Sequence, residues 1–186
     1  EGFEPNVPPL AERIATFRRL SDRVGAENLI WRFDPLLRTE TLTPERLLAK
    51  LRRVGDAVAP YTRRLVFSFA DIEPYAKVRR NLARNGVPPL PFSVAEMHET
   101  AGKIAALCRE WGIEAAACAE PEDFSAEGVR RSSCIDPERL CALFPGDPEF
   151  AALKRDGGQR RFCSCVLSKD IGFYHSCRHG CLYCYA

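Results

Sequence analysis

The chain has 186 residues, enough for one domain with a real core and too few for two of comfortable size. With 46% hydrophobic and 28% charged residues it has a globular composition, which excludes a disordered or collagen-like chain, and a net charge of +2 selects no class of partner. No apolar run approaches the roughly 18 residues of a spanning helix, and no basic start leads into an apolar core, so neither a membrane nor a secretory leader is expected.

In chain order, "PLAERIATFRRLSDRVG" places Leu10, Ile14, Phe17, Leu20 and Val24 on one helical face, with Gly25 as a stop. "NLIWRFDP" predicts a short strand closed by Asp34-Pro35. In "TPERLLAKLRRVGDAV", Thr43 caps a helix with Pro44 at its first position and Leu47, Leu51, Val54 and Val58 on its buried face. "RLVFSFAD" predicts a second strand. "SVAEMHETAGKIAALCREWG" is the clearest helix, opened by a Ser93–Glu96 capping box and closed by Gly112. "IEAAACAEP" predicts a third strand. Beyond Glu120 the pattern weakens to one short helix from Asp136-Pro137-Glu138, and little can be placed after Gly146.

Helices alternating with strands predict an α/β architecture of parallel strands and crossover helices. Three strands cannot close a barrel, so the expectation is either a partial (β/α) TIM-like barrel or a small open sheet. The strands end in Asp34, Asp71 and Glu120, and the carboxyl ends of parallel strands face the ligand crevice. Arg32 lies two residues before Asp34 and so points to the same side of its strand. These four residues are candidate catalytic groups; the plainer reading makes Asp34 and Glu120, each followed by proline, turn starters.

Nine cysteines are too many, and too unevenly placed, for a disulfide framework: five fall in the last 24 residues. In a reducing cytoplasm, the compartment expected here, clustered thiolates hold metal more often than they form disulfides. The last ten residues, "CRHGCLYCYA", carry Cys177, Cys181 and Cys184 on one tight loop, with Gly180 free to take a left-handed conformation. Three close thiolates without an adjacent fourth suit a four-iron four-sulfur cluster with one open iron, whereas the common ferredoxin run supplies a different spacing.

This C-x3-C-x2-C motif, with aromatic Tyr183 just before the last cysteine, resembles the cluster motif of the radical S-adenosylmethionine enzymes, and "HGCLYCYA" is similar to their spore-photolyase-like branch. The resemblance implies that the open iron binds S-adenosylmethionine, that an electron donor reduces the cluster, and that the 5′-deoxyadenosyl radical so formed takes hydrogen from a substrate. Tyr183 would lie against the cofactor's adenine. In those enzymes the motif follows the first strand; here it comes last. That order, with "WRFDPLL", "FSFADIEPY", "CAEPEDF", "SCID" and "GQRRFCSCVLSKDIGFY", resembles a bacterial and archaeal family, domain-of-unknown-function family eighteen forty-eight, from "EPNVPP" onward. The likeness and the initial Glu1 in place of Met imply that an N-terminal part of the family domain precedes this stretch.

The expected layout is therefore a partial barrel over residues 1–150 and a cysteine-rich metal-binding tail over 151–186 packed on it. Cys118, Cys134, Cys163 and Cys165 could supply a second site, a further cluster or tetrahedral zinc, if the fold brings them together. Cys108 and Cys141 read as core residues; His175 and His179, which bracket Cys177, read as polar loop residues or, in a mixed sulfur–nitrogen site, as zinc ligands. The alternative to an enzyme is a non-catalytic protein with a redox-sensing cluster or a structural zinc at the terminal loop, its fourth ligand Cys163 or Cys165. Lys154, Arg155, Arg160, Arg161, Lys169 and Arg178 outnumber Asp156 and Asp170 in the tail, which suits an anionic partner such as nucleic acid or, more simply, a solvated face. The substrate, small or macromolecular, is not legible.

Overall fold

The computed structural model describes residues 2–169, 171–173 and 175–184; Glu1, Asp170 and the end of the terminal motif, Tyr185 and Ala186, lie outside them. Four parallel strands form one sheet: β1 (Ile30–Leu36), β2 (Arg64–Phe69), β3 (Glu114–Cys118) and β4 (Arg130–Ser132), in the order β1-β2-β3-β4. Among the described residues six α-helices accompany them: α1 (Leu10–Val24), α2 (Pro44–Val58), α3 (Ala76–Arg84), α4 (Val94–Trp111), α5 (Pro137–Leu143) and α6 (Pro148–Ala151). The architecture is mixed α/β, and among the described residues the sheet stays open at β1 and β4 rather than closing into a barrel.

Period-two alternation gives the sheet two chemically different faces. Trp31, Leu65, Phe67, Phe69, Ala115 and Ala117 point into the main core, where they meet α2 and α4. On the opposite face successive rows hold Arg64 and Glu114, then Arg32, Val66, Ala116 and Arg130, and at the carboxyl end Ser68, Cys118 and Ser132. Burial of Leu65 and Phe67, each 0% exposed, stabilises the apolar side by about 1.5–3 kcal/mol per side chain. The other face sets charged and polar groups around a small buried cluster of Val66, Ala116 and Cys118.

The helices start where capping chemistry directs. Thr43 accepts from the Arg46 amide with Pro44 at the first position. Ser93 and Glu96 form the reciprocal capping box, and Gly112 ends α4 at φ +68°. Helix α1 departs from its pattern: Ile14 and Phe17 pack on the core, but Leu20 and Val24 are exposed, because α1 rests on the flank of α2 and not under a second layer.

Three elements escape the periodicity reading. Helix α3 shows only two buried anchors, Val78 and Leu82, over nine residues. Strand β4 is three residues long and begins with two arginines, so it has no apolar alternation to read. Helix α6 is a single turn capped by Asp147. Cys141, expected in the core, is exposed, its thiol donating to the Phe150 carbonyl at 3.2 Å, because α5 packs mainly with α6 and not on the sheet. Cys108 is buried as expected. The tail lies on the main body: Val166 is buried and its amide donates to the Ile135 carbonyl at 3.2 Å.

Candidate functional site

The carboxyl ends of β1, β2 and β3 gather the candidate acids. In β1 the pairing slips by one residue between Phe33 and Leu36, a bulge that contains the cis Asp34-Pro35 peptide. Bulges re-aim side chains at strand ends. Here Asp34 receives the Ser68 hydroxyl on one carboxylate oxygen and the Arg32 guanidinium on the other. Ser68 was missed by sequence reasoning, since its strand is buried almost throughout and gives no polar signal.

Glu120 follows β3 through Ala119, which takes φ +56°, a left-handed conformation uncommon for a residue with a side chain. That turn carries Glu120 back over the sheet end. It is 7% exposed, and its Oε1 accepts the Phe69 amide at 2.8 Å, capping β2. Burial pushes its carboxyl up to about 7, and the nearby charges of Asp34 and Asp71 act in the same direction; the Phe69 amide and Arg160 oppose them. Asp71 is exposed and contributes through its field. The three strand-end acids thus share one electrostatic neighbourhood, and Glu120 can exchange a proton near neutral pH.

Arg32 links the acids to a group of thiols. Its Nη1 donates to Cys134 Sγ at 3.0 Å while its Nη2 pairs with Asp34. Cys118 and Cys134 stand Sγ to Sγ at 3.7 Å. Cys165 Sγ accepts the amides of Cys134 and Ile135 at 3.1 and 3.4 Å, and Cys163, two positions before it, is buried. The thiol hydrogen of Cys118 and the Arg32 charge hold Cys134 below the ordinary thiol range, whereas the same contact and burial push Cys118 up. Of the four cysteines considered for a second site, dispersed over 48 positions of sequence, Cys118 touches Cys134 and Cys134 touches Cys165, while Cys163 is buried two positions before Cys165.

The terminal loop is tied to the N-terminal segment. Asn6 donates its side-chain amide to the Arg178 carbonyl at 3.1 Å and its backbone amide to the His179 carbonyl at 3.2 Å, and the Leu182 amide donates to the Phe3 carbonyl at 2.9 Å. The His179 ring contacts the Asn6 carbonyl through Nδ1 at 3.2 Å, so it serves loop structure. Gly180 has φ +65°, and a Cβ there would stand 3.3 Å from Asn6 Nδ2, so both conformation and space call for glycine. Tyr183 donates its hydroxyl to Glu4 and packs with Leu182 against Leu37, Val78 and Leu82; burial and Glu4 push its phenol up. Cys177 is exposed, Cys181 and Cys184 are half-buried, and Cys181 lies within electrostatic reach of both its neighbours.

Tyr183 opens onto a cavity of about 450 Å³ whose wall also holds Arg32, Asp34, Arg13 and Lys50. The terminal loop and the β1 end therefore face one space. Among the described residues no three Cys, His, Asp or Glu side chains meet at one point as a preformed metal site, neither on the terminal loop nor in the Cys118 group. The structure sets Cys165 against the Cys134 and Ile135 amides and buries Cys163. Arg155 of the basic tail turns inward, donating to the Cys163 carbonyl at 2.7 Å, and so shapes the C-x-C turn. No helix of the described residues is long and apolar enough to cross a membrane.

A family model described as a domain of unknown function (DUF1848) matches residues 1–186, and the chain belongs to that family. Neither a curated protein nor a solved structure gives a match.

Proposed function

From that membership and the site geometry, we propose that the chain is an iron–sulfur protein that binds a four-iron four-sulfur cluster through Cys177, Cys181 and Cys184, and that it acts as a radical S-adenosylmethionine enzyme. The single observation that carries the reading is the shared cavity: Tyr183, inside the cysteine motif, lines the same space as Arg32 and Asp34 at the strand end. Three thiols on one loop, held by a glycine turn and backed by the N-terminal segment, suit a cluster with an open iron. When bound, the cluster and S-adenosylmethionine would supply one-electron reductive cleavage of the cofactor, with an external electron donor, and hydrogen-atom abstraction from the substrate.

This chain's own residues have separate tasks. Tyr183, fixed by Glu4 and by α3, offers a rigid aromatic edge at the cavity wall. Arg13, Lys50 and Arg32 give that wall positive charge suited to a carboxylate or phosphate. Arg32 and Ser68 orient Asp34, while Glu120 holds or releases a proton near pH 7. The strand order 1-2-3-4 is that of consecutive units in a (β/α) barrel, and we read the sheet as a barrel segment whose carboxyl face carries the site.

Anaerobic purification followed by iron, sulfide and zinc analysis tests the first half of the reading. A brown protein with iron and sulfide, lost in Cys181→Ser, is expected; a colourless protein without iron ends it. Adding S-adenosylmethionine and a strong reductant tests the second half, and no 5′-deoxyadenosine from iron-loaded protein refutes the catalytic role.

A further inference from the structure

We propose that Cys118, Cys134, Cys163 and Cys165 form a tetrathiolate site for a single tetrahedral divalent ion, zinc by preference, that fastens the tail to the carboxyl edge of the sheet. The site is separate from the terminal loop and does not depend on the reading of that loop.

Three features support it. Cys118 ends β3 and Cys134 follows β4, so adjacent parallel strands deliver two thiols to one edge. Their 3.7 Å sulfur separation matches the edge of a zinc–thiolate tetrahedron, about 3.8 Å for bonds of about 2.3 Å. A four-iron cluster places each cysteine on a different iron and so holds its thiolates farther apart. The C-x-C turn brings Cys163 and Cys165 in from the tail, both buried, with Arg155 holding the turn through the Cys163 carbonyl.

The surrounding contacts suit a thiolate ligand set. Two backbone amides, of Cys134 and Ile135, already point at Cys165 Sγ, and N–H donors of this kind stabilise sulfur that carries negative charge. Arg32 sits on Cys134 and would offset the negative charge of four thiolates around one divalent ion. Cys134 is exposed while the other three are buried, which gives an ion an entry path from solvent. Since no three sulfurs yet meet at one point, binding must draw Cys163 and Cys165 toward the Cys118–Cys134 pair. A C-x-C turn in a tail segment can make that movement more easily than two strand ends can.

The test uses the full chain carrying Cys177→Ser, Cys181→Ser and Cys184→Ser, which removes the terminal thiols and leaves this site whole. Reduced, anaerobic protein is titrated with Co²⁺ and then with Zn²⁺. The expected result is sulfur-to-cobalt charge transfer with intense tetrahedral d–d bands, saturating at one equivalent and displaced by one equivalent of zinc. Arg32→Met should weaken affinity about 10- to 100-fold, as loss of an outer-shell partner does. Cys165→Ser should weaken it at least as much, and Cys108→Ser should leave it unchanged. Because serine variants can unfold, alkylation of the parent chain provides a second readout. Zinc should protect exposed Cys134 at least tenfold and leave exposed Cys141 reactive. Equal alkylation of Cys134 with and without zinc, an octahedral cobalt spectrum, or recovery of a Cys118–Cys134 disulfide in place of bound metal would each overturn the proposal.

Discussion

Alanine at Gly55 and at Gly102 tests the packing of α2 against α4, because the same substitution should have opposite signs at the two positions. Gly55 is buried in α2 under the Trp111 ring, and a Cβ there would stand 2.2 Å from Cη2 and 2.4 Å from Cζ2. Carbon contacts are comfortable at about 3.5–4.0 Å, so the ring must retreat by more than about 1 Å. It is held by Trp31, with ring centroids 5.8 Å apart, and by its Nε1 donating to Asp56 at 2.9 Å. Overpacking costs about 1–3 kcal/mol, and losing the indole hydrogen bond costs about 1 kcal/mol. Helix propensity returns about 1 kcal/mol. The net expectation for Gly55→Ala is a loss of about 1–3 kcal/mol. At Gly102 the nearest neighbour of a new Cβ is Glu127 Cγ at 3.7 Å, an ordinary contact, so the propensity gain of up to about 1 kcal/mol survives. Urea unfolding followed by tryptophan fluorescence reads both, with an unchanged slope showing that stability alone has moved. A Gly55→Ala chain as stable as the parent, or two substitutions of the same sign, would refute this account of the α2–α4 contact.

Other outcomes follow from single contacts. His98 donates from Nδ1 to the Glu127 carboxylate at 2.7 Å and lies 3.9 Å from Glu122, which raises its pKa above 6.5. The stability this pair contributes is full below the unfolded value and lost as pH rises through the raised folded one. NMR titration should find Glu127→Gln lowering the His98 midpoint. Thr62, 0% exposed, donates to the Leu29 carbonyl at 2.5 Å and accepts the Arg64 amide at 3.3 Å, so Thr62→Val should cost about 1–3 kcal/mol in thermal or chemical unfolding. Burial pushes the Cys108 thiol up to about 12, so at pH 8 thiol reagents should modify Cys141 and Cys177 and leave Cys108 untouched until the chain unfolds.

What the sequence revealed follows from the range of the forces involved. Capping boxes, proline at the first helical turn and apolar periodicity are local, so α2, α4 and the first three strands were readable from their own residues. Strand β4 is fixed by its pairing of Arg130, Arg131 and Ser132 with Ala116, Ala117 and Cys118, information that lies in β3. Helix α3 likewise needs Leu37 and the terminal Leu182 and Tyr183 to complete its small cluster. The strand-end acids were legible because parallel α/β architecture assigns a role to that position. The contacts of Cys134 with Cys118 and Cys165 could not be placed from sequence, since they rest on the neighbouring of β3 and β4. Cys141 misled because an amphipathic turn says which side is apolar and not whether anything covers it.

The C-x3-C-x2-C motif comes late in the chain, yet its Tyr183 lines the same cavity as Arg32 and Asp34 at the end of β1. Sequence order constrains a site only through the length of chain needed to return to it. Here the return is guided twice. Val166 first docks beside the segment that follows β4, and Arg178, His179 and Leu182 then pair with Asn6 and Phe3 while Leu182 and Tyr183 pack on α3. Each anchor is modest, since a hydrogen bond nets about 0.5–1.5 kcal/mol. Ordering one residue's backbone costs about 1–2 kcal/mol, so the loop gains little from any single tether. Its stability must come from several acting together, with Tyr183 providing the apolar contact and Gly180 avoiding left-handed strain. A loop so balanced is where bound metal would have its largest effect on order, because ligand bonds would add to anchors that nearly cancel the entropy already. Hydrogen exchange at the Leu182 amide should therefore slow when iron is incorporated. Equal exchange with and without iron would mean that the N-terminal tethers alone order the loop.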